Sequence, residues 1–130
     1  MAKSRVILYD AQMFRLLESP DGPVGKMLER RGERVKMAAK AQVGVRTGAL
    51  RASIHMRHLR DSRGQYVKIG SNKNYALLHH NGTKPHRISG KNGMLKFMNR
   101  GQMVFAHTVL HPGTKANKYL TDNLHLITLP

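Results

Sequence analysis

The chain reads as an α+β fold: a small antiparallel sheet of two hairpins packed against a long N-terminal helix and a C-terminal helix. Three observations predict it. An apolar repeat near 3.6 residues runs through 23–43; the period falls toward 2 over 54–70 and again over 94–108; and a turn sequence divides each alternating stretch. The order helix–helix–hairpin–helix–hairpin–helix in 130 residues suits a modest core. Residues 1–23 read as an arm with a short helix, and 24–130 as one α+β domain.

Residues 1–9 form a strand or an arm. Asp10 caps a short helix through Glu18, with Met13, Phe14, Leu16 and Leu17 crowding one side. Ser19-Pro20-Asp21-Gly22-Pro23 breaks it, because two prolines and a glycine cannot continue a helix. The long helix spans 23–43, with Pro23 in its first turn and Val24, Met27, Leu28, Val35, Ala38, Ala39 and Gln42 as its stripe. Gly44 ends it. Ile54, Met56 and His58 then alternate with polar neighbours, Asp61-Ser62-Arg63-Gly64 signals a hairpin, and Val67 and Ile69 return on one side. Tyr75, Ala76 and Leu78 mark a short helix closed by Asn81-Gly82. Lys84–Ser89 reads as an edge strand or extended loop because of Pro85. Met94–Met98 and Gln102–Thr108 form the second hairpin around Asn99-Arg100-Gly101, with Leu95 and Phe97 opposing Val104, or Met103 and Phe105. Asn117–Ile127 closes the chain as a helix.

Composition narrows the function. There are 23 Lys+Arg against 7 Asp+Glu, and they are unevenly placed. Residues 1–33 hold six basic and five acidic side chains; residues 34–130 hold seventeen basic ones against only Asp61 and Asp122. Such a field attracts polyanions and acidic protein surfaces. No cysteine is present, which excludes disulfides and thiolate chemistry. The apolar runs are too short for a membrane span or a signal peptide.

Three stretches place glycine beside threonine: Arg46-Thr47-Gly48-Ala49-Leu50-Arg51-Ala52-Ser53-Ile54, Asn81-Gly82-Thr83, and His111-Pro112-Gly113-Thr114. Glycine there supplies positive φ or close backbone approach, and threonine can cap the next element. No nucleophile, carboxylate pair or phosphate fingerprint accompanies them, so the chain reads as a building block and not as an enzyme. The eight histidines raise a metal hypothesis through His79, His80 and His86, or through His107 and His111. Adjacent helical histidines diverge by about 100°, and no cysteine or nearby carboxylate completes a set; turn-capping and subunit-facing roles fit better, and no metal or cofactor is expected. Arg51, Arg57, Arg60, Arg63, Lys68 and Lys73, with Arg46, gather around the first hairpin as candidate contacts to DNA or acidic partners. With no helix-turn-helix or zinc finger and few aromatics, nucleic-acid contact would be non-specific.

In this order and spacing, the sequence resembles the tailed-bacteriophage (siphophage) neck and tail-completion family of head-to-tail connector proteins, also described as minor tail components. The resemblance covers roughly residues 24–125. It rests on Ala38–Val45 running into Arg46–Ile54, then Ile69-Gly70-Ser71, Tyr75-Ala76 through His80-Asn81-Gly82-Thr83, and His111–Thr114 with Tyr119-Leu120. Asn81 stands where many relatives have an acidic residue, and Lys115-Ala116-Asn117 where many have a proline. The resemblance implies a structural virion protein, assembled in the host cytoplasm. It would form a ring between the DNA-filled head and the tail. The sixfold tail tube favours six copies, with twelve left open. Its neighbours would be a head-closure or stopper ring and a tail terminator or tube ring. Arg46, Thr47, Gly48, Asn81, Gly82, Thr83, His111, Pro112, Gly113 and Thr114 are then the candidate subunit-interface loops. The basic surface would face acidic rings or DNA in the channel. A non-specific DNA-binding protein is the alternative.

Overall fold

The computed structural model describes residues 3–130. Its backbone forms two compact units, one reaching to Asn74 and resuming at Tyr119–Pro130, the other Tyr75–Lys118.

In the first unit, irregular chain precedes α1 (Asp10–Leu17), so residues 3–9 are an arm and not a paired strand. Asp10 lies inside α1's first turn; Tyr9 occupies the cap position, with extended dihedrals. Helix α2 (Pro23–Gln42) starts where predicted and ends one residue earlier, with Val43 as its non-helical cap. Pro23 suits its first turn, where a missing N–H costs nothing and the fixed φ is already helical. The buried face differs from the predicted stripe. It consists of Gly25, Gly32, Val35 and Ala39, with Leu28 half-buried between them, while Gln42 is exposed. The intervals of three, four and seven residues are helical, but two of the positions carry no side chain.

Gly32 explains the choice. A Cβ there would stand 2.5 Å from Met56 Sδ and 2.9 Å from Val67 Cγ1. Those residues belong to β1 (Ile54–Asp61) and β2 (Gly64–Ser71), an antiparallel hairpin in which Met56 opposes Ile69 and His58 opposes Val67. The bare helix surface therefore lets α2 lie close on the hairpin's inner face. A short helix, α3 (Ala49–Ser53), which the periodicity does not signal, leads into β1. The buried side chains of this unit are Val35, Ala39, Val43, Leu50, Ile54 and Tyr119.

The closing helix is shorter and tighter than expected. It is a 3-10 helix over Thr121–Ile127, packed on α2, with Tyr119 and Leu120 ahead of it. Gln42 ties the two together, donating to Asp122 at 3.0 Å and accepting from Asn123 at 2.8 Å. Arg34 donates to backbone oxygens of Leu129 and Pro130 at 3.3 and 2.9 Å.

The second unit holds α4 (Ala76–Asn81), β3 (His86–Ser89), β4 (Leu95–Asn99), β5 (Gln102–Ala106) and β6 (Thr108–His111). The β4–β5 turn places Arg100 at φ 48° and Gly101 at φ 84°, the two positive dihedrals that a type I′ hairpin needs. Leu95, Phe97, Val104 and Ala106 form its half-buried face. Phe105 falls on the other side, opposite Lys96, whose Nζ lies 5.8 Å from the ring centroid. Strand β3 starts just after Pro85 and pairs on one edge only, with β6. The two expected hairpins thus do not merge into one sheet. The described strands form three separate two-stranded ribbons.

Candidate functional site

The three glycine-threonine stretches share one backbone feature: Gly48, Gly82 and Gly113 have φ of 81°, 72° and 88°. In the first, Gly48 turns the chain into α3, and Thr47 Oγ1 accepts from the Ala49 N–H at 3.4 Å. Arg46 and Thr47 are exposed.

The other two stretches meet each other within the second unit. Thr83 and Thr114 form an isolated antiparallel bridge, with Thr83 N–H donating to the Thr114 carbonyl at 2.9 Å and Thr114 N–H returning the bond at 3.1 Å. Thr83 Oγ1 accepts from the same Thr114 N–H at 3.0 Å. The flanking glycines make the approach possible. A Cβ on Gly82 would lie 2.5 Å from the Thr114 carbonyl oxygen, and one on Gly113 would run into the Thr83 carbonyl. Asn117 N–H donates to the His79 carbonyl at 3.1 Å, continuing the clasp along α4. Loops separated by some thirty residues thus become one two-layered feature, a pairing that their sequence repeat hints at but does not specify.

Histidines meet in an unexpected combination. His86 and His111 are register partners of β3 and β6, with ring centroids 5.1 Å apart. His111 Nδ1 accepts from Gly113 N–H at 3.1 Å, and His107 Nδ1 is bound to the Gly93 carbonyl. Among the described residues, no three His, Asp or Glu side chains gather as a metal site would require.

The basic candidates divide by role. Arg57 and Lys68 are direct cross-strand partners on the outward face of β1–β2, beside His55, Leu59 and Tyr66. Both cations are exposed. Like charges facing each other across a ribbon destabilise it unless an anion lies between them. Lys68 Nζ sits 5.8 Å over Tyr66, leaving its charge accessible. Arg60 is committed elsewhere: it pairs with Glu18 and lies 4.9 Å over the Phe14 ring, so it fastens α1 to the hairpin. Arg63 is nearly fully exposed, with Asp61 at 4.0 Å. Arg51 on α3 and Lys73 beyond β2 are exposed as well. None of these positions offers an acid–base pair for catalysis. No helix of the described residues is long and apolar enough to cross a membrane.

Comparison with known proteins agrees with this anatomy. Residues 23–82 match the model of the HK97-gp10-like family, described as "Bacteriophage HK97-gp10, putative tail-component". The match opens with α2, takes in the Arg46–Ile54 turn and the β1–β2 hairpin, and ends on Gly82. No curated protein and no solved structure matches the chain significantly. Through residues 23–82, which hold its long helix and its first hairpin, the chain is similar to the HK97-gp10-like family, described as a putative phage tail component.

Proposed function

We propose that the chain is a non-enzymatic structural protein of the phage virion, one that forms a ring with its own copies in the neck and completes the junction between head and tail. A head-closure or stopper ring would adjoin it on one side and a tail terminator or tube ring on the other. The observation that carries this reading is the family match over the helix–hairpin body. The exposed Arg46-Thr47 corner and the Asn81–Thr83 and His111–Thr114 clasp would contact neighbouring subunits. The clasp's paired backbone gives a loop surface rigid enough to serve as a docking face.

The Arg57–Lys68 face supports a second element of the reading. Two unneutralised cations held opposite each other suit an acidic neighbouring surface or the DNA phosphates in the channel. Reconstruction of purified virions tests the proposal: density for this chain belongs in the neck, and particles with an intact neck that lacks it would refute it. Retention of the isolated chain on duplex DNA separates the readings. Weak retention with assembly only beside partner proteins supports the connector, whereas tight binding with a steep salt slope supports a DNA-binding protein.

A further inference from the structure

Alternation along the first hairpin sets its outer face. Met56 and Val67 turn toward α2, so His55, Arg57 and Leu59 face away, opposite Gly70, Lys68 and Tyr66. Arg57 and Lys68 are exposed, and among the described residues no carboxylate pairs with either. The hairpin holds one carboxylate, Asp61, which is committed to its own turn: Oδ1 accepts from the Arg63 N–H at 2.8 Å. Beside that turn lies a shallow hollow of about 380 Å³, with Arg63, Gly64, Tyr66 and Lys68 among its walls. Three cations and a phenol therefore border one face, and its only carboxylate is already occupied.

We propose that this face binds the phosphate backbone of duplex DNA. The proposal rests on the connector reading and deepens it, assigning the DNA contact to one ribbon. Arg57 and Lys68, held opposite each other, share a phosphate whose charge relieves their repulsion. The Tyr66 hydroxyl donates to the same backbone. Lys68 and Gly64 are four residues apart on β2, roughly 13 Å, so Arg63 beside Gly64 meets a separate phosphate. An acidic protein is the poorer fit. Protein interfaces have apolar centres and are depleted in lysine, whereas protein–DNA interfaces are more polar and far more positive. Here two cations occupy the middle of the face, and Leu59 is its one aliphatic side chain. Contact through phosphates is independent of base sequence, as passage of a whole genome requires.

Fluorescence anisotropy of a short labelled duplex, titrated with the full-length chain across salt concentrations, tests the proposal. Three phosphate contacts give a slope of log K against log salt of about −2.7, hence about a twentyfold loss between about 50 and 150 mM salt. A single copy therefore binds at low salt and only weakly at physiological salt. Arg57→Gln/Lys68→Gln is set against Lys91→Gln/Lys96→Gln, which removes equal charge from exposed positions of the second unit; melting curves check that both fold. The ribbon variant should bind at least about tenfold more weakly at low salt and lose about 2 from the slope, with the control changed far less. Equal weakening of the two variants overturns the proposal, because net charge alone then explains binding. No binding at about 50 mM salt overturns it as well. Poly-glutamate bound as tightly as DNA at equal charge, and lost equally in the ribbon variant, would assign the face to an acidic protein instead. Virions that hold this chain in the neck, from protein whose ribbon variant binds DNA undiminished, would refute the DNA face and leave the connector reading standing. A DNA-binding ribbon on a chain absent from the neck would do the reverse.

Discussion

Thr83 and Thr114 exchange two backbone hydrogen bonds as an isolated bridge, and the glycine preceding each makes room for the other's carbonyl. The repeated Gly-Thr dipeptide is thus half of a reciprocal fit. Substituting either glycine both forces a side chain into left-handed backbone and drives a methyl into a carbonyl oxygen. Gly82→Ala and Gly113→Ala should each cost about 1–3 kcal/mol. Thr83→Val, which removes only one hydroxyl acceptor, should cost about 0.5–1.5 kcal/mol. Urea unfolding monitored by circular dichroism measures both, and equal losses for all three variants would contradict the clasp.

Helix α2 offers a sharper case because two effects oppose. Alanine at position 32 gains about 1 kcal/mol of helix propensity over glycine. Its methyl meets Met56 Sδ, which can move, and Val67 Cγ1, whose branched side chain cannot. Gly32→Ala should end near neutral or about 1 kcal/mol destabilised, and Gly32→Leu should lose over roughly 3 kcal/mol by forcing helix and hairpin apart. A Gly32→Ala/Met56→Ala double variant should be more stable than the sum of the singles predicts, since shortening Met56 clears the clash.

Charge reversal on the outward ribbon should separate folding from binding. Lys68→Glu converts the cross-strand repulsion with Arg57 into attraction and should raise stability by about 0.2–1 kcal/mol. The same change should weaken binding to duplex DNA or heparin and lower the slope of log K against log salt by at least about 1. Arg60→Gln should behave differently, releasing α1 because it breaks the contacts to Glu18 and Phe14. Proteolysis near Ser19–Gly22 would report that release.

Tyr119 predicts an alkaline limit. Burial raises its phenol above the ordinary value of 10.0. The unfolded chain therefore loses this proton first as pH climbs, and the native state binds more protons over the interval. Stability should fall from about pH 10 upward and continue to fall until the native phenol ionises. Tyr119→Phe should remove that part of the decline, read as the difference between the two proteins' unfolding curves at pH 9, 10 and 11.

Local signals in the sequence carried much of the architecture. Pro23 marked the start of α2, and Asp61–Gly64 and Asn99–Gly101 marked both hairpin turns, because turn chemistry needs only its immediate neighbours. The helix's buried face escaped because an apolar pattern has no way to score Gly25 and Gly32, whose value lies in absent side chains. The β3–β6 pairing escaped because it joins segments across a hairpin. The closing helix begins at Thr121 and not at Asn117 because Asn117 is held against α4's last turn by its bond to His79, which periodicity does not reveal. At the candidate site, the basic residues were legible as a cluster. Their division into Arg57 and Lys68 facing outward and Arg60 turned toward α1 depended on strand register and on Glu18, more than forty residues upstream.

The order in which the units are threaded has a consequence for biosynthesis. Tyr75–Lys118 is an insertion: the helix–hairpin unit is interrupted at Asn74 and completed only by Tyr119–Pro130. A ribosome therefore finishes the inserted ribbons before it delivers the segment that covers α2. Until that moment the nascent helix–hairpin body lacks its last cover, and it can close only when Tyr119–Pro130 has left the exit tunnel.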